Sequence, residues 1–158
     1  DFSEVAIERG TRLAAERAVE VNFVQADASA YRPEHQYDLI TSFYIQLPPG
    51  QRASMLANAA RALAPGGTLL FVSHDRSSPP DGWTDEDLLT LTTHQEVASD
   101  LPGLEIERAF VFDHGPRRSH AAHSQDSDER HNSHGQPPEE ADVQQESLST
   151  VVRATRPK

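Results

Sequence analysis

The 158 residues contain no cysteine. Disulfides, thiolate metal sites and cysteine nucleophiles are therefore excluded, and the lack fits a reducing, cytoplasmic setting. Basic residues are scarce: 14 Lys and Arg stand against 25 Asp and Glu, for a formal net charge of -11. Sequence-independent nucleic-acid binding depends on cations that neutralise phosphates, so no nucleic-acid partner is expected. Long apolar runs are missing too. The strongest, around Thr68 to Val72, falls far short of the ~20 residues that span a bilayer, and no signal-peptide core opens the chain. No membrane partner is expected; a small-molecule substrate is. The length suits one domain, yet the hydrophobic fraction is 36% and the mean hydropathy -0.62. Part of the chain is expected not to pack.

Composition locates that part. Residues 113–147 hold five of the eight histidines, eight acids, three arginines and only four apolar residues. Such a stretch cannot bury enough apolar surface to offset the entropy of ordering it. The expected organisation is a core of residues 1–112 plus 147–158, interrupted by a disordered, acidic, His-rich insert over 113–146.

The rest is patterned. Ser3 to about Ala18 places Val5, Ala6, Leu13 and Ala14 near helical spacing, with Ser3 as N-cap and Glu4 in the first turn. VNFVQAD (Val21–Asp27) is β-rich, and YDLITSFYI (Tyr37–Ile45) is the near-continuous apolar run of a strand buried on both faces. Pro48-Pro49 opens a helix through Leu63, stopped by Pro65-Gly66-Gly67, and TLLFVSHD (Thr68–Asp75) reads as another buried strand. Thr93-x-x-Glu96 is a capping box and Thr84-x-x-Asp87 a weaker copy. Leu104–Phe112 and Ser147–Thr155 alternate as half-buried strands. This order predicts an α/β fold with a mostly parallel sheet and an antiparallel hairpin of the last two strands at one edge.

In open α/β sheets ligands bind beyond the carboxyl ends of the strands. Asp1 stands where a strand would end before the first helix, Asp27 ends VNFVQAD, Tyr44 to Gln46 end the next strand, and His74-Asp75 end TLLFVSHD. Two acids at successive strand ends suit a ligand with ribose hydroxyls and an exocyclic amine, because a carboxylate accepts hydrogen bonds that a basic side chain cannot. A strand-end aspartate serves equally well as a turn or helix cap, and Tyr44 equally well as core packing.

DFSEVAIERGTRLAAE, FVQADAS, YDLITSFYIQLPP and RALAPGGTLLFVSHD, in this order and spacing, resemble a class I S-adenosylmethionine-dependent methyltransferase. Within that superfamily the SHD ending and the closing STVVRATRP are similar to small-molecule enzymes near the tellurite-resistance and thiopurine types. The resemblance implies a doubly wound, Rossmann-like sheet and S-adenosylmethionine as cofactor. By position it implies that Asp1 holds the ribose hydroxyls with Phe2 beside the adenosine. Asp27 would accept from the adenine amine, the Ala28 N–H would meet the ring, and Ser42 and Phe43 would lie near the methionine part. Gln46 stands where such enzymes often carry a histidine. Tyr44, Gln46, His74 and Asp75 are the candidates for acceptor contact or catalysis.

The superfamily's first strand and glycine-rich loop precede the ribose acid, and the only adjacent glycines here are Gly66-Gly67. The resemblance thus places that loop upstream of Asp1. It also implies an incomplete sheet, an apolar edge beside Tyr37–Ile45 and weak cofactor binding by this segment. Two alternatives stand beside methyl transfer. One is a nicotinamide-dependent Rossmann oxidoreductase, in which an acid also serves ribose. The other is a non-catalytic protein that binds metal or a partner through its His-rich insert. His120-x-x-His123 and His131-x-x-His134 lack zinc-finger spacing, and a solvated loop without a metal site is expected.

Overall fold

The computed structural model describes residues 1–116 and 146–158. The chain begins with α1 (Glu4–Glu16), capped as its sequence predicts: the Ser3 hydroxyl accepts from the Ala6 N–H at 3.3 Å. It closes in a left-handed turn at Ala18, φ 50°, where the Val19 N–H reaches back to the Ala14 carbonyl at 3.0 Å. None of its residues is buried.

Residues 21–27 form no strand, which corrects the reading of VNFVQAD. Their backbone partner is instead the beginning of the chain. The Asp1 amino group donates to the Val24 carbonyl at 3.2 Å, and the Ala26 N–H donates to the Asp1 carbonyl at 2.9 Å.

Four strands make one sheet: β1 (Tyr37–Phe43), β2 (Leu63–His74), β3 (Glu105–Pro116) and β4 (Glu146–Thr155). Their spatial order is β1-β2-β4-β3. The β1–β2 pair is parallel and both pairs made by β4 are antiparallel, so β4 alone runs against the other three. The α/β sheet with its antiparallel hairpin at one edge is as the sequence predicts. β3 continues past Phe112 to Pro116 and β4 begins at Glu146, so the first residues assigned to the insert are strand. The rest of that insert, 117–145, lies outside the described residues, as do His120, His123, His131 and His134.

β2 starts at Leu63, directly after α2 (Pro49–Ala62), and Pro65-Gly66-Gly67 is a bulge inside the strand rather than a separate turn. The register slips there between Tyr37 and Leu39 on β1. Gly66 takes φ +80°, and a Cβ on Gly67 would sit 2.9 Å from both the Ala64 and Tyr37 carbonyl oxygens. Two glycines are what this bulge requires.

α2 and α4 (His94–Ser99) enclose the core with one face of the sheet. Met55, Leu56, Leu63, Leu69, Phe71, Val97, Leu101, Val152 and Ala154 form it. Along β2 buried and half-buried residues alternate, and β1 is exposed over most of its length. Neither strand is buried on both faces, because helices among the described residues cover one face and β1 is an edge. Both capping boxes form: Thr84 starts the short α3 (Asp85–Leu88) and Thr93 starts α4.

Candidate functional site

β1, β2 and β3 point their carboxyl ends toward the same rim. Two groups of candidate side chains stand out.

The first group contains the acids Asp1 and Asp27. The backbone bonds from Asp1 to Val24 and Ala26 set Asp1 and Asp27 on adjacent stretches of chain. Each carboxylate also shapes its own turn. Asp1 Oδ1 accepts from the Ser3 N–H at 2.8 Å, and Asp27 Oδ1 accepts from both the hydroxyl and the N–H of Ser29 at 2.8 Å. The Ser29 hydroxyl, then its N–H, hold the Asp27 carboxyl below its ordinary range. Asp27 is exposed. Phe2 is 80% exposed; nothing among the described residues seats its ring.

Beside Asp27 runs a groove of about 330 Å³ along the β1 edge, walled by Ala28, Tyr31, Ile40, Ser42, Met55 and Leu69. That volume lies within the range of small-ligand clefts. The Ser42 hydroxyl is buried and has no hydrogen-bond partner among the described residues. Ala28 and Ser42, predicted from separate motifs, thus share one wall. Phe43 is exposed and, next along the strand, faces away from Ser42. The cleft is largely apolar, with the Ser42 hydroxyl in its wall and Asp27 one residue from Ala28.

The second group crosses the sheet. His74, Ser149 and Phe112 occupy one cross-strand row on β2, β4 and β3. Tyr44, just past β1, adopts φ 52°. Its N–H still bonds the Val72 carbonyl at 2.8 Å, while its ring lies 4.9 Å from that of His74 and its hydroxyl 3.0 Å from Ser149 Oγ. His114 Nε2 meets the same Ser149 Oγ at 2.9 Å. Trp83 stands edge-on to His74 at 5.4 Å, and Phe112 edge-on to His114 at 4.8 Å.

Gln46 and Asp75 do not join this row. The Gln46 amide donates to Ser73 and accepts from Thr90. Asp75 is buried on the opposite face, where it accepts from the Ser77 hydroxyl and N–H and from the Thr150 hydroxyl at 2.6 Å. Burial raises its carboxyl, but the Ser77 and Thr150 bonds and the nearby His94 together outweigh burial and leave it below its ordinary range.

Sequence reasoning missed Ser149, His114 and Trp83. For His114 a signal existed: Phe110, Phe112 and His114 continue the period-2 alternation of β3. Ser149 could not be found without the β3–β4 register. Among the described residues no group of three or more His, Asp or Glu side chains could hold a metal.

Residues 1–67 match the family model for a methyltransferase domain. A search of curated proteins returns no match. Among solved structures the chain is similar to the N-methyltransferase NodS from Bradyrhizobium japonicum WM9, at 17% identity and a TM-score of 0.63, with 100% of this chain and 71% of that one covered. NodS has also been solved in complex with S-adenosyl-l-homocysteine, where the match covers 65% of that chain. TehB from Haemophilus influenzae aligns at 14% identity and a TM-score of 0.67, over 99% of this chain and 48% of that one. The chain therefore spans about half to seven tenths of these structures. The same fold is found in the [4+2]-cyclase SpnF, at 16% identity and a TM-score of 0.62, over 99% of this chain and 64% of that one. The resemblance drawn from the four sequence motifs is borne out: this is the class I S-adenosylmethionine-dependent methyltransferase fold, with the methyltransferase-domain match over its first 67 residues.

Proposed function

We propose that this chain, folded as a class I methyltransferase, serves methyl transfer from S-adenosylmethionine to a heteroatom nucleophile on a small molecule. The observation that carries the reading is the groove beside Asp27, where Ala28 and the orphaned Ser42 hydroxyl share a wall. Asp1 and Asp27 would hold the ribose and adenine edges by accepting their donors, and the apolar wall would exclude water from the purine. The matched methyltransferase-domain motif favours this over a nicotinamide cofactor. No metal or nucleic acid is needed for it, and no helix among the described residues is long and apolar enough to cross a membrane. The lack of cysteine suits a cytoplasmic place of action.

S-adenosylmethionine supplies a methyl group already activated on a sulfonium, so the protein's work is chiefly orientation, worth several kcal/mol. The His74, Tyr44 and Trp83 rings would wall the acceptor at the strand ends.

Backbone amide NMR tests this directly. Millimolar S-adenosylhomocysteine should shift the signals of Asp27, Ala28 and Ser42, and Asp27→Ala should weaken that response at least about tenfold. Unmoved signals, or signals moved by NAD instead, would sink the proposal. Micromolar affinity would overturn the weak-binding expectation alone.

A further inference from the structure

We infer that Tyr44, Ser149 and His114 form a proton relay that takes the proton from the methyl acceptor. The inference rests on the methyl-transfer reading but stands on its own geometry. Ser149 is 1% exposed, although it belongs to the sheet face whose strand neighbours Val72 and Val151 are half-buried. What closes over it is the Tyr44 hydroxyl at 3.0 Å on one side and His114 Nε2 at 2.9 Å on the other. One buried hydroxyl therefore joins a phenol to an imidazole.

The two ends differ in what they face. Tyr44 stands at the strand-end rim, 44% exposed, beside the His74 ring. His114 is exposed to solvent, where a proton can leave. The backbone at Tyr44 is left-handed, φ 52°, a strained conformation for a residue other than glycine, and it accompanies the turn of the side chain across β2 toward β4. No described hydrogen bond other than that to Ser149 holds this hydroxyl.

With His114 neutral and Nε2 bare, the bonds align in one direction. Ser149 donates to His114, Tyr44 donates to Ser149, and the Tyr44 oxygen is left as an acceptor at the rim. In the transfer step the protonated acceptor gives its proton to Tyr44 Oη. Tyr44 passes its own to Ser149 Oγ, and Ser149 passes its own to His114 Nε2. The acceptor's lone pair forms the bond to the methyl carbon, and the electron pair of the broken carbon–sulfur bond stays on sulfur. The product is methylated acceptor, a neutral thioether and an imidazolium, which returns its proton to water. Once protonated, His114 can only donate to Ser149, and the relay is closed. Among the described residues the titratable groups around it are Tyr44 past β1, His74 on β2 and Asp113 on β3, whose carboxylate accepts from the Gly115 N–H; Asp75 is turned to the other face.

The relay is tested in the full chain by long-range proton–nitrogen NMR of the histidine rings, which needs no cofactor. Neutral His114 should carry its proton on Nδ1 with Nε2 bare, and Ser149→Ala should alter that pattern. A neutral His114 protonated on Nε2 would overturn the inference. Turnover adds a second arm, with S-adenosylmethionine and two thiols, 2-mercaptoethanol, which arrives protonated at pH 7, and thiophenol, which arrives largely ionised. His114→Gln should lower kcat/KM about 100-fold for the first and leave the second within about twofold, since an ionised acceptor needs no base. Equal losses on both thiols would make His114 merely structural. If neither thiol is methylated, the methyl-transfer reading loses support while the ring tautomer still decides the relay.

Discussion

Asp75 shows how one carboxylate at a strand end can serve stability rather than chemistry. It takes three donors from Ser77 and Thr150 while buried. Asp75→Ala would strand those donors, so chemical denaturation should register a loss of about 2–4 kcal/mol. The carboxyl is depressed from its ordinary 3.8. Its contribution is therefore complete above the unfolded value near 3.8 and is lost as pH falls through the folded value. The gap in stability between the natural chain and Asp75→Asn should narrow only as pH falls below about 4. The sequence alone could not separate Asp75 from His74, its neighbour. Alternation sends one to the helix-covered face and the other to the open row, and the face each takes depends on which side α4 packs. Asp27 was legible as a turn cap, because that role needs only a short polar side chain two residues before its donor, Ser29.

At the scale of elements, what was readable was local. The Ser3 cap, the Thr84 and Thr93 boxes and the Pro49 start of α2 are each set by residues within one turn, and each formed. What was not readable was pairing. VNFVQAD has the residues of a strand but forms none. The Pro65-Gly66-Gly67 bulge looks like a helix stop until the Tyr37 carbonyl is placed against it. The Tyr44–Ser149 contact spans 105 positions, beyond any periodicity. Helix docking has its own signature in Arg52, buried on α2, whose Nε meets Asp100 Oδ2 at 2.8 Å beyond α4. Its Nη1 has no partner among the described residues, so Asp100 is the anion that holds this buried cation there. Removing the anion would leave it uncompensated, and Asp100→Ala should cost about 3–5 kcal/mol in urea denaturation.

Across the whole molecule the sheet is lopsided. One face is sealed by α2 and α4, while the β1 edge presents Leu39 at 60% exposure together with Tyr37, Phe43 and Ile45. Unpaired backbone beside apolar side chains is a template for association, and a net charge of -11 opposes it only over about a Debye length, ~8 Å at physiological salt. Sedimentation velocity should show concentration-dependent self-association that deepens with added salt and is relieved by Leu39→Lys. A natural chain that stays monomeric at high concentration and high salt would refute this. The order β1-β2-β4-β3 also governs how the fold can be assembled in time. β3 follows β2 in the chain yet never pairs with it, because β4 lies between them. A ribosome that has released everything through β3 has released a β1–β2 ladder and one unpaired strand. Only when β4 emerges can it join both, so two of the sheet's three ladders form in a single late event of high contact order.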